Sequence, residues 1–381
     1  FETPGGLFFQ KGPGDVGAKG LNALSDTIPK PEVERVDGCG WKLKQFESGP
    51  GLLNLLYRAL LSGKPYAVKA NFAFRHDPLL SLPDPEAQKQ AFDKLDLLVA
   101  IDANYSETGW YADVLLPSAT YLEKSSILTT GKGLKPSYSM RQQAVEPRND
   151  AKPDWWIFKS LAERLGAGEY FKFKDMEAFW KFQLTGTGVT VSDLKKKGSV
   201  SLADKPVWWD RMKDLKFKTP SGKIEFVSSR LQESKIESFK PYERPQKPDE
   251  GYYRLAFGRS PVHTHGRTQN NPVLSEIMPE NQLWLNADEA AKIGVANGDL
   301  VRVTSSDGSH SGTINAYVTE FIHSESVFMV HGFGRKVPWQ TRGYNKGLGD
   351  YRFETGLLGV YDPVGGDNSL MECFVKVEKA E

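Results

Sequence analysis

The sequence predicts an α/β protein in which a parallel-sheet α/β region is followed by a C-terminal six-stranded β-barrel. Apolar runs alternate with helical patterns over the first half, which is how a parallel sheet reads. After about residue 251 the hydrophobic period changes to two. Between these halves "KPYERPQKPDEG", residues 240–251, carries three prolines and several charges, the composition of a linker. The expected organisation is an α/β region over 1–239, a linker over 240–251 and a barrel over 252–381.

Taken in order, "GLLNLLYRALLSGK" is an apolar helix with Leu52, Leu56 and Leu60 repeating every four residues. "PYAVKANF" reads as a strand, "DPEAQKQAFDKL" as a helix, and "DLLVAID" and "ADVLLPSATYLE" as two further strands. In open parallel sheets ligands sit beyond the carboxyl ends of the strands. Asn71 and Asp102, read just past two apolar runs, are therefore candidates to meet one. Asp102 could equally cap the turn that follows it. "PDWWIFKSLAERLG" opens on Pro153 and Asp154, starts an apolar face with Trp156, Ser160 and Leu161, and closes at Gly166. Residues 167–235, rich in lysine and aromatics, read as surface helices and loops.

The barrel rests on six β-type runs: "YYRLAF", "QLWLN", "DLVRVTSS", "GTINAYVTE", "SVFMVHG" and "MECFVKVE", with one short helix, "ADEAAKIG", inserted. Turn signals such as "ANGD" and "SSDGS" separate them. The inserted helix favours a closed or nearly closed barrel over a sandwich.

The 381 residues carry 49 basic and 48 acidic side chains, so overall charge pulls toward neither nucleic acid nor an anionic membrane. A polyanionic ligand needs a local site. The two cysteines, Cys39 and Cys373, form neither a disulfide framework nor a CxxC cluster. No apolar run approaches the ~20 residues of a membrane span, so a globular, soluble chain is expected. It starts at Phe1 without a signal-like segment and reads as a mature, processed or partial chain.

"FGRSPVHTHGRTQNNP", residues 257–272, holds two of the six histidines. A metal site at His263 and His265 needs two more ligands, and no Cys, Asp or Glu stands at a usual ligand spacing. A nucleophilic pair lacks any signature such as GxSxG around Ser260 or Thr264. What the stretch offers is donors: Arg259, Ser260, His263, Thr264, His265, Arg267, Thr268 and Gln269, with Gly258 permitting close approach. Such a run suits a phosphate-bearing or heteroaromatic ligand, or else it is a solvated basic loop. A second glycine-rich stretch, "VHGFGRKVPWQTRGYNKGLGDYRF", follows the strand ending at His331 and could hold the same ligand from the other side.

Together "LAFGRSPVHTHGRTQNNPVLSE", "LWLNADEAAKIGVANGDLVRVTSSDG" and "VFMVHGFG" resemble the C-terminal cofactor-binding barrel of the molybdopterin oxidoreductases of the dimethyl sulfoxide reductase family. "DLLVAIDANYSETGWYADVLLPSATYLEK" and "AVEPRNDAKPDWWIFKSLAERLG" resemble the same family upstream, in family order. "GRSPVHTHGRTQNNP" and "VHGFG" look most like the catalytic subunits of polysulfide, thiosulfate, tetrathionate and arsenate reductases. The resemblance implies a double-psi-like barrel and two molybdopterin guanine dinucleotides holding one molybdenum or tungsten ion. It implies reduction of a sulfur compound or arsenate in anaerobic respiration. Alternatives are a formate dehydrogenase or nitrate reductase of the same family, or a non-catalytic cofactor-binding module.

By the same resemblance the chain is the C-terminal part of a catalytic subunit. Its metal ligand and iron-sulfur cluster would lie in a remaining N-terminal half of the polypeptide. Implied partners are an iron-sulfur electron-transfer subunit and a membrane anchor, no nucleic acid, and a periplasmic location. Residue by residue, Asn71, Asp102 and Asp154 would meet one guanine nucleotide, a carboxylate suiting the paired N–H donors of guanine. Arg259, Ser260, His263, Thr264 and His265 would meet phosphates and pterin of the second, Asn286 and Asp288 its guanosine, and His331 a pterin ring. Phe72 stands where the family has a proline. Asp350, in "GLGDYRFETG", stands in for an Asn-rich pterin motif, and "GGDNSL" near the last strand reads as a turn.

Overall fold

The computed structural model describes residues 1–29, 32–46, 51–211, 213–368 and 371–381. Compactness divides the chain into two units, each discontinuous in sequence. One comprises residues 1–32 and 117–226, the other 33–116 and 227–381. This differs from a division at residues 240–251, because the segment holding the parallel sheet is compact with the barrel. Residues 240–251 are irregular and almost wholly exposed.

The larger unit begins with helix α1 (Leu53–Ser62), which Gly63 ends in a left-handed conformation. Its buried residues are Asn54, Leu55, Tyr57, Ala59 and Leu60, and Leu56 packs half-buried against the same core, so Leu56 and Leu60 of the expected stripe pack while Leu52 stands at the helix cap. Packing against the helix over Pro85–Phe92 selects Tyr57, whose hydroxyl donates to buried Gln88 at 2.9 Å. Strand β1 (Ala70–Phe74) follows, then α2 (Pro78–Ser81), α3 (Pro85–Phe92), β2 (Leu97–Asp102), α4 (Glu107–Tyr111) and β3 (Val114–Pro117). Strands β1 and β2 pair in parallel with Asn71 opposite Leu98, and β3 flanks β2. Tyr57, Leu60, Leu79, Ala91, Phe92 and Leu98 form the core beneath them.

The smaller unit contains β4 (Thr129–Gly131), β5 (Ser137–Ser139), α5 (Asp154–Arg164), α6 (Met176–Leu184), α7 (Val191–Lys197) and β6 (Ser199–Ser201). The three strands form an antiparallel sheet. In α5 only Ile157 is buried, while Trp156, expected on the apolar face, stays exposed. Helices α6 and α7, expected at the surface, bury Met176, Trp180, Leu184, Val191 and Leu194 against Leu128 and Tyr138. Charges such as Glu177 and Lys195 share those short helices and dilute the apolar pattern along the sequence.

The larger unit resumes with α8 (Ser229–Glu233) and then the barrel: β7 (Tyr252–Gly258), α9 (Pro272–Ile277), β8 (Leu283–Asn286), α10 (Ala287–Lys292), β9 (Leu300–Ser305), β10 (Ser311–Thr319), β11 (Ser326–Val330) and β12 (Phe374–Lys379). All six expected strands close in the order β10-β8-β11-β7-β12-β9, a crossed, double-psi-like connection. Pairs β7·β11 and β8·β10 are parallel, and the others are antiparallel. Alternation fills the interior: Val301 and Val303 point inward, joined by Leu255, Leu283, Leu285, Val327, Met329 and Val375, all fully buried. Each such side chain contributes roughly 1.5–3 kcal/mol. Closure also leaves no strand edge unpaired. Among the described residues no helix is long and apolar enough to cross a membrane. In "GGDNSL" a turn does form, Gly366 donating to the Asp362 carbonyl, while residues 369–370 lie outside the described residues.

Candidate functional site

Strand direction decides which loops meet. Strands β7 and β11 are parallel, so Gly258 and His331 leave the barrel at the same rim, joined by the His331 N–H donating to the Gly258 carbonyl at 2.9 Å. Two donor-rich loops, 259–271 and 332–349, therefore lie side by side. Gly332, at φ +97°, lies so close to the other loop that a Cβ there would stand 2.5 Å from the His265 carbonyl carbon. Buried Asn281 fixes the same rim, donating to the Val330 and Leu348 carbonyls at 2.8 Å each and accepting from Leu348 N–H at 2.9 Å. Gln269 and Arg335 clamp the first loop by donating to the His265 and Gly266 carbonyls.

At the centre of the rim the Nδ1 of His331 meets the Asp350 carboxylate at 2.7 Å. Burial alone would lower the imidazole pKa, but the Asp350 bond and charge outweigh it and the net shift is upward. The His265 ring stands edge-on to His331 at 5.8 Å. Its pKa is lowered by burial and by the neighbouring His331, Arg259 and Arg267. Behind Asp350, burial and the Asp350 charge push Glu354 up to about 9, which keeps it neutral at pH 7, and burial together with the Asp350 charge helps push Cys373 up to about 12.

The expected donors separate into two sets. Arg259, Thr264 and His265 are exposed on the first loop. Buried His263 instead uses both ring nitrogens internally, with Thr268 Oγ1 at 3.1 Å and the Met278 carbonyl at 2.8 Å. Ser260 is also engaged, accepting from Val262 N–H at 3.0 Å and reaching Met278 Sδ at 3.2 Å. Asp350 is fully buried and presents itself to His331 rather than outward. Asn286 and Asp288 are not brought to this rim. Strand β8 runs antiparallel to β11, so they sit at the opposite end of the barrel, where Asn286 caps α10 by accepting from Asp288 N–H and Glu289 N–H.

The sheet contributes its own carboxyl end to the larger unit. Asp102 closes β2, accepts from Ala103 N–H at 2.7 Å as a turn cap does, and is raised in pKa by burial. Asn71 lies inside β1 rather than past its end, because pairing with β2 begins only at Ala70. Residues not singled out in the sequence do more here. Asp77 accepts from Thr108 N–H at 2.8 Å and Thr108 Oγ1 at 2.9 Å, holding the start of α4. Arg335 approaches Asp77 at 3.7 Å and Glu107 at 3.9 Å. Lys336 N–H donates to Glu107 at 2.9 Å, and Tyr105 stacks on Trp339 at 5.9 Å. Loop 332–349 is thus anchored on the sheet end as well as on the barrel. "HDP" at Asp77 and "GRK" at Arg335 were their only sequence signals.

In the smaller unit Asp154, at the first turn of α5, is held by Lys124 at 2.7 and 2.8 Å and by the Ser118 hydroxyl. Both ion-pair partners are largely buried. The sequence gives Asp154 through its place before the helix, whereas Lys124 is visible only in the fold.

Residues 54–164 match the sequence model of the molybdopterin oxidoreductases, and residues 253–359 match that of the molydopterin dinucleotide binding domain. The chain belongs to the molybdopterin oxidoreductases of the dimethyl sulfoxide reductase family. Thiosulfate reductase molybdopterin-containing subunit PhsA of Salmonella typhimurium is 32% identical over 380 residues, covering 91% of this chain and 50% of that protein. An F420-dependent formate dehydrogenase subunit alpha of Methanocaldococcus jannaschii is 30% identical over 275 residues, 70% of this chain and 39% of that one. Acetylene hydratase from Pelobacter acetylenicus shares the fold at a TM-score of 0.73 and 21% identity, over 87% of this chain and 47% of that one. The chain spans about half the length of the curated relatives it matches.

For a molybdopterin oxidoreductase the rim has suitable chemistry. Arg259, Thr264, His265 and Arg267 place exposed cationic and neutral donors along one loop, which fits a phosphate-bearing ligand. His331 adds a donor with a raised pKa beside them. Among the described residues no group of three or more His, Cys, Asp or Glu could hold a metal ion.

Proposed function

We propose that this chain supplies the dinucleotide cradle of a molybdenum or tungsten enzyme that reduces a sulfur compound, such as polysulfide, thiosulfate or tetrathionate, or arsenate. The observation that carries the reading is the pair of loops 259–271 and 332–349 at one barrel rim, locked at Gly332 and His265, within the matched dinucleotide-binding domain. The likeness to the thiosulfate reductase subunit over 91% of this chain supports the substrate class.

When bound, a bis-molybdopterin guanine dinucleotide centre supplies two-electron redox chemistry at its metal. The chain's own residues bind and orient. Arg259, Arg267 and the exposed edge of His265 would bind phosphates at the rim, and His331 would offer its ring to a pterin. Arg335, Gln269 and Asn281 hold the loops in place. Asp102 would accept from guanine N–H groups at the sheet end.

A formate dehydrogenase or nitrate reductase is the second reading, supported by relatives of those names at 30% identity. By family likeness we further propose a periplasmic enzyme with an iron-sulfur cluster in the same polypeptide, an iron-sulfur electron-transfer subunit and a membrane anchor. The test is reduction of thiosulfate, tetrathionate, polysulfide and arsenate by reduced viologen, side by side with nitrate reduction and formate oxidation, on the whole native subunit. Metal and pterin content are measured on the same sample. Turnover of one sulfur compound or arsenate well above the other substrates supports the proposal. Turnover of formate or nitrate alone moves it to the second reading, and a protein with neither metal nor pterin overturns both.

A further inference from the structure

Asp350 has no exposure to solvent, and of its two carboxylate oxygens one meets His331 Nδ1 at 2.7 Å while the other, Oδ1, has no hydrogen-bond partner among the described residues. A buried carboxylate is costly unless it is paired, and a half-satisfied one more so. A neutral serine or asparagine could have accepted from Nδ1 at lower cost. Stability alone does not account for an acid here. The ring it holds is placed by the rim: His331 leans on Phe257 at 5.6 Å and meets His265 edge-on at 5.8 Å. A carboxylate behind a histidine fixes which nitrogen carries the proton and how the ring points.

We propose that Asp350 is a positioning residue for the rim site, fixing His331 with Nδ1–H donated to its own carboxylate, so that Nε2 is the edge His331 offers to an anionic or lone-pair-bearing part of a ligand. The proposal rests on the cofactor reading above. With Nδ1 committed, the doubly protonated ring makes Nε2–H a charge-assisted donor. The groups around the pair favour that form. Glu354 and Cys373 behind Asp350 are kept neutral by burial and by Asp350's charge, so Asp350 supplies the countercharge. On the other side His265, pressed down by burial and by His331, Arg259 and Arg267, leaves the proton on His331.

The test uses the whole native subunit with 15N-labelled histidine, the His331 signals being assigned by their loss in H331Q. Ring nitrogen shifts are followed from pH 5.5 to 9 in wild type and D350N, and retained pterin per chain is measured in both. The expected result is a wild-type His331 that stays doubly protonated above the usual imidazole range. In D350N its midpoint should fall by about one unit or more, with about tenfold less pterin retained. A wild-type His331 that is neutral at pH 7 with Nδ1 unprotonated overturns the positioning role without need of any variant. So does a D350N protein whose His331 titrates unchanged while pterin is lost. Wild type carrying no pterin overturns the cofactor reading instead, and with it the ligand this pair would serve, while the nitrogen shifts still report the pair itself.

Discussion

The guanidinium of Arg335 ends 3.7 Å from the carboxylate of Asp77, tying a barrel loop to the start of helix α4 in a largely buried ion pair. Glu107 lies 3.9 Å from the same guanidinium nitrogen, and Arg335 also holds the Gly266 carbonyl. Replacing one member of a buried pair leaves the other charge uncompensated. R335M should lose about 3 kcal/mol of stability in urea unfolding. Adding D77N to R335M should return part of that loss, and a strictly additive double variant would show that the pair is not coupled.

At Gly332 a new Cβ meets backbone, not a side chain that can move, and φ is +97°. G332A should separate the two loops and cost more than ~2 kcal/mol, with pterin retention falling in parallel. Gly308 is the control: its φ of +73° carries similar strain, but among the described residues nothing stands within 4 Å of the added Cβ. G308A should cost only about 1 kcal/mol and leave retention unchanged.

His263 and His265, two residues apart, should behave differently. H263A removes two internal hydrogen bonds from a buried ring and should lower stability by roughly 1–3 kcal/mol. H265A, at an exposed ring, should leave the unfolding midpoint nearly unchanged and lower pterin content. Equal effects on stability would return His265 to a structural role.

Glu354 gives the pH dependence a sign. Its pKa is raised from the ordinary carboxylate value of 4.5 to about 9 by burial and by Asp350. Its contribution is therefore fully present below about pH 4.5 and lost progressively as pH rises toward 9, because only the unfolded chain ionises it in that window. E354Q cannot ionise in either state. The stability of E354Q relative to wild type should rise steadily from pH 5 to pH 8.5 in denaturant titrations. A flat difference would mean that Glu354 is charged in the fold.

Much of the fold is legible in residue order because its signals are local. Alternation in "DLVRVTSS" and "SVFMVHG" marks inward and outward faces before any partner strand is known, since side chains on a strand alternate regardless of neighbours. Asp84, Pro85 and the apolar positions after them mark α3 the same way. Less local features are not legible in this way. Met176, Trp180 and Leu194 pack on Leu128 and Tyr138, which are far away in sequence, and charged neighbours masked them.

The sequence by itself determined that six strands close into a barrel, that two donor-rich loops follow strands in it, and that family motifs occur in order along the chain. Tertiary structure decided which donors remain available. Pairing direction put Arg259, His265 and His331 on one rim and sent Asn286 and Asp288 to the other, a choice no strand can make without its neighbour. Burial turned His263 inward, withdrew Asp350 behind His331 and brought Arg335 to Asp77. A hydrogen-bond donor is a property of a residue, but whether it is already spent depends on what the rest of the chain places within about 3 Å of it.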